Sequence, residues 1–150
     1  MLNPKHLKQL SFFLENWKNY PEHLENAKKR TIINRLYYYI FLEIREIIKS
    51  KIAPVQREHL EKPRTSIHRL VIEIVKNAGF YKEAKYLREI RGIRTSFDYE
   101  LNSIGEDISL ERAKETVKLL ESFLPILQKC PDSEVQKAFS KAIENLSKKA

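Results

Sequence analysis

The residues with the clearest chemical potential lie in LREIRGIRTSFDYEL, residues 87–101, where arginines recur at positions 88, 91 and 94 and an aspartate and a tyrosine follow at 98 and 99. An arginine can hold a phosphate or a developing negative charge, and a carboxylate four residues on can orient it. A phenol can donate a proton, although its ordinary pKa near 10 makes it a poor base. Arg88, Arg91 and Arg94 are therefore candidate anion-binding residues. Arg94, Asp98 and Tyr99 form the candidate reactive set.

Arg94 stands out because of its place on the helix that this spacing predicts. At about 100° per residue, Phe80, Ala84, Leu87, Ile90, Ile93, Phe97, Leu101 and Ile104 share one face. Arg94 falls inside that apolar arc, with Asp98 on its border one turn later. A cation in an apolar stripe is costly unless it is paired. Lys82, Lys85, Arg88, Arg91 and Arg94 also recur every third residue. Three is less than one helical turn, so the basic row winds from the solvent side into the stripe. Two readings stay open: a structural Arg94–Asp98 ion pair, or a recessed arginine at the end of a basic track. His68, at the edge of the apolar arc of the preceding helix, is a further candidate contact, against the plainer reading of a boundary residue.

These residues need helices to position them. The chain has 150 residues, 42% hydrophobic and 32% charged, with three glycines and six prolines. That is enough for one domain with a buried core and too few turn residues for an all-β fold. Asn3-Pro4 reads as the cap and first position of a helix running to about Tyr20, with Leu7, Leu10, Phe13, Leu14 and Trp17 as its core face. A long helix follows from about Glu22 to Lys51, apolar or aromatic almost all round from Asn34 to Leu42, as a central helix is. Its three tyrosines read as core with their hydroxyls at the edges. Pro54 and Pro63 bracket a polar loop. Thr65 or Ser66 caps a helix that Gly79 stops. The arginine helix runs from Tyr81 to about Asn102, Gly105 breaks it, and Ser109 caps the next helix, which Pro125 should kink. Pro131 and Asp132 open a last helix, about 132–148. The expectation is an all-α antiparallel bundle of five to six helices in a single domain, residues 1–150.

The net charge of +8 favours an anionic partner. The lone cysteine, Cys130, has no intramolecular partner, and the histidines lack metal-ligand spacing, so neither a metal nor another cofactor is expected. There is no apolar run of membrane-spanning length and no signal-peptide layout at MLNPKHLKQL. The compartment therefore reads as cytoplasmic.

Three blocks together resemble a known family. Asn34-Arg35-Leu36-Tyr37-Tyr38-Tyr39-Ile40-Phe41 is similar to the long-helix signature of HEPN domains (higher eukaryotes and prokaryotes nucleotide-binding), which typically read Asn-Arg-x-Tyr-Tyr-Ala-x-Phe. Ser66-Ile67-His68-Arg69 resembles the Ser-His-(Arg/Lys) that opens a following helix. Arg94-Thr95-Ser96-Phe97-Asp98-Tyr99 resembles the Arg-x-x-x-Asp-Tyr motif of a prokaryotic branch. The blocks occur in the family's order, and the likeness covers about residues 26–129. It implies a helical bundle, a homodimer with the arginine-bearing helices at a cleft, and RNA or a nucleotide as ligand. It also implies a toxin–antitoxin or defence setting, with a minimal nucleotidyltransferase as antitoxin partner. Many members are metal-independent ribonucleases with an Arg-x(4–6)-His motif. Here no histidine follows Arg88, Arg91 or Arg94 at that spacing, and Asp98-Tyr99 stands in its place. Three functions stay open: an RNA- or nucleotide-binding protein, a ribonuclease with an unusual constellation, and an interaction module docking a nucleotidyltransferase.

Overall fold

The computed structural model describes residues 3–63, 65–99 and 106–148, with the side chains of all of these except 96–99 and 106–109. Among the described residues there are seven α-helices and no strand. They are α1 (Pro4–Glu15), α2 (Glu25–Lys51), α3 (Pro54–Glu61), α4 (Ile67–Asn77), α5 (Tyr81–Tyr99), α6 (Glu106–Lys129) and α7 (Asp132–Lys148). A 3-10 turn at Glu22–Leu24 precedes α2. The all-α expectation holds, with more helices than the five or six read from the sequence. The additional one is α3, where two prolines suggested a loop. Pro54 occupies the first turn of α3, where its missing N–H is no loss. The Gln56 side chain accepts from the Ala53 N–H at 3.1 Å, and Leu60 is buried. α6 also starts earlier than expected, so Ser109 lies within it, and Pro125 sits inside that helix without ending it.

The chain forms two compact units, residues 1–42 with 89–121, and residues 43–88 with 122–150. Helices α2, α5 and α6 each contribute a segment to both.

In the first unit α2 supplies the greasiest surface: Ile32, Ile33, Tyr37 and Ile40 are buried, as are Ile90 of α5 and Ala113, Val117 and Leu120 of α6. Named polar contacts fix the neighbours. Glu89 of α5 pairs with Arg112 of α6. The Tyr39 hydroxyl of α2 donates to Glu121 of α6 at 2.8 Å. Lys8 and Glu15 of α1 pair with Glu121 and Lys114 respectively, so α1 runs antiparallel to the middle of α6. Leu7 and Ser11 lie beside positions 8 and 15 and are buried. Of the face expected as core, Leu7 is buried, but Leu10 and Phe13 are exposed, Phe13 by 63%; α1 ends at Glu15 and not at about Tyr20, so Trp17, 45% exposed, lies beyond it.

In the second unit α4 packs on α7. Between them Glu73, Asn77 and Asn145 form a largely buried polar cluster, in which the Asn145 amide donates to Glu73 and to the Asn77 carbonyl, each at 3.3 Å. α4 ends at Gly79, whose φ of +98° is the left-handed conformation that glycine adopts without penalty. The Phe80 and Gly79 N–H groups close back on the Val75 and Lys76 carbonyls, the Schellman pattern that satisfies a helix C-terminus. Lys51, in the last turn of α2, donates to the Gln128 and Cys130 carbonyls at 2.6 and 2.7 Å and so covers the end of α6.

Candidate functional site: an arginine seated on a tyrosine pair

The site is built from α2 and α5 within the first unit. Successive residues on a helix point about 100° apart, so Tyr37 faces inward while Tyr38 flanks it at the edge. Tyr37 is 1% exposed, and its ring stacks on Phe41 one turn later, centroids 5.8 Å apart and 16° between planes. Tyr38 is half-buried and meets Tyr37 edge-on, with centroids at 5.5 Å.

Arg94 comes to this pair from α5. Its guanidinium carbon lies 4.8 Å from the Tyr38 ring centroid and 5.3 Å from that of Tyr37. Its Nη2 donates to the Tyr38 hydroxyl at 3.1 Å. Each ring face contributes about 1 kcal/mol of attraction to a half-buried cation. The hydrogen bond donated by the charged guanidinium adds about 1.5–3 kcal/mol. This explains how an arginine is tolerated in an apolar stripe: among the described residues its partners are aromatic, and none is a carboxylate. Its Nε is buried without a hydrogen-bond partner among the described residues, as are the Asn34 amide oxygen and the Arg35 Nε on α2.

Burial raises the Tyr37 hydroxyl well above its ordinary range, and the nearby positive charges of Arg91 and Arg94 only partly oppose that rise. Tyr37 therefore stays neutral and is no counter-ion to either arginine. The basic row on α5 behaves as its spacing predicts: Lys82, Lys85 and Arg88 are exposed, whereas Arg91 and Arg94 are half-buried.

Of the residues singled out from the sequence, the structure brings Arg91 and Arg94 to one place beside the tyrosines. Arg88 lies in the second unit, as does His68, half-buried near the start of α4. Asp98 and Tyr99 lie in the last turn of α5, and their side chains fall outside the described residues, so the proposed Asp98 partner and Tyr99 hydroxyl do too. Sequence reasoning missed Tyr37 and Tyr38 as partners of Arg94. The available signal was the arginine itself, which needed a partner and for which only a carboxylate on its own helix was considered. No group of metal-ligating side chains occurs among the described residues, and no helix there is long and apolar enough to cross a membrane.

No family model, curated protein or solved structure matches the chain.

Proposed function

We propose that this chain is a HEPN-type protein that binds RNA or a nucleotide at the basic site around Arg91 and Arg94. In this reading it acts as a homodimer in a toxin–antitoxin or defence module, beside a minimal nucleotidyltransferase. The observation that carries the binding role is the seat of Arg94: a guanidinium held by two aromatic rings and one hydroxyl, next to a second arginine. An arginine serving only as a structural ion pair would be neutralised by a carboxylate. Here the described partners fix the group in place and leave its charge available to an anion. The +8 net charge and the three sequence blocks in family order support the same reading.

Fluorescence anisotropy with a mixed-sequence RNA tests it. Arg94→Ala is expected to weaken binding about tenfold or more, the scale of removing one charge-assisted hydrogen bond, while the circular dichroism spectrum stays helical. Unchanged affinity in a folded Arg94→Ala protein would remove the site. Light scattering tests the homodimer separately: a mass near twice 17.8 kDa is expected, and a monomer at all working concentrations would contradict that part.

A further inference from the structure

The tyrosine pair bears on which part of a nucleic acid this site reads. A base can be recognised by stacking only on an open ring face. Tyr37 has no such face to offer: it is buried, Phe41 stacks against it, and Arg94 lies over it. Tyr38, half-buried, has the guanidinium over one face of its ring and meets Tyr37 edge-on. Arg94 thus occupies a face of each ring. What they hold is a planar cation fixed by its faces and by one Nη2 bond, with Nε buried and further N–H groups on the two Nη nitrogens. The Nη1–Nη2 end matches two oxygens of a phosphate. Arg91 adds a second positive charge beside it, and the neutral Tyr37 cancels neither.

We propose that Tyr37 and Tyr38 are positioning residues that hold the Arg94 guanidinium for a phosphate group, so that the site reads the phosphate of RNA or a nucleotide and not its base. This rests on the functional reading above and narrows it. Phosphate contacts carry no sequence information, so binding is indifferent to base identity. Tyr38 acts through Arg94, without touching the ligand itself.

The test uses the full chain and short labelled oligoribonucleotides of one length: oligo-U, oligo-A, oligo-C and an abasic ribose-phosphate oligomer. The four affinities are expected to agree within about threefold, because the contacts are to the backbone. Adenosine 5′-monophosphate should compete and adenosine should not; only the oligomers binding, with no competition by the monophosphate, would overturn a site that takes an isolated phosphate. Tyr38→Leu should weaken binding in the wild-type background and add nothing in Arg94→Ala, since residues acting as one unit are non-additive. Tyr38→Phe keeps the ring and should restore most of the affinity, which guards against a leucine variant that fails to fold. A loss from Tyr38→Leu that persists in Arg94→Ala would make Tyr38 a direct contact and overturn the positioning role. A more than tenfold preference among bases, or no binding of the abasic oligomer, would overturn the phosphate reading while leaving RNA binding itself intact. No RNA or nucleotide binding by the wild type would instead overturn the functional reading beneath it.

Discussion

Among the described residues, Arg94 is held by two ring faces and a phenol oxygen. This has consequences for substitution. Arg94→Lys keeps the charge but loses the planar fork, so binding should fall nearly as far as in Arg94→Ala. A point charge alone would tolerate the change, and equal affinity of the lysine variant would show that geometry is irrelevant. Tyr37 supplies a second prediction. Its folded-state pKa is raised above the ordinary 10.0, so the neutral form is favoured in the native protein. The associated stability is complete below about pH 10 and is lost as pH rises beyond it. Urea unfolding between pH 8 and 11 should therefore show a steeper alkaline decline in the wild type than in Tyr37→Phe. Parallel curves would contradict a buried, neutral Tyr37. The basic track and the oddity of Arg94 were legible in the sequence, because helical spacing alone places them. Its tyrosine partners were not, since Tyr37 and Arg94 are far apart in the chain and periodicity says nothing about which helices meet.

At the scale of elements, the seven helices among the described residues are set by stops, caps and cross-links as much as by apolar stripes. Gly79→Ala forces a Cβ into the left-handed turn after α4 and should cost about 1–2 kcal/mol in denaturant unfolding. An unchanged midpoint would mean that the turn is not held at positive φ. Lys51 covers the end of α6 through two carbonyl bonds and lies 3.5 Å from Asp132, with its side chain only 11% exposed. Lys51→Met keeps the stem and leaves those carbonyls unpaired, so a loss of about 1–3 kcal/mol is expected. A surface lysine replaced in the same way should change little. Most helix boundaries were readable from Asn3-Pro4, Gly79 and Pro131-Asp132, because caps and breakers act locally. The inward face of α1 was not. Of its expected face Leu7 is buried, but Leu10 and Phe13 are exposed and Trp17 lies beyond the helix, while the Lys8–Glu121 and Glu15–Lys114 pairs tie α1 to α6. Such pairs are long-range facts that a single helix cannot reveal.

At the scale of the whole chain, the +8 charge sets the expectation for binding physics. Neutralised phosphates release counterions, so affinity for single-stranded RNA should fall with salt by a slope of about 0.7 per contact in log units. Composition made the all-α class legible, whereas the Arg94 seat needed three dimensions. The central claim is that this seat is a binding site, and the salt series measures it directly. Anisotropy titrations from 50 to 300 mM salt should give a weaker binding constant for Arg94→Ala and a slope shallower by about 0.7, because one fewer phosphate is neutralised. If Arg94→Ala binds RNA with the affinity and slope of the wild type, the arginine on its tyrosine pair is architecture and the site lies elsewhere.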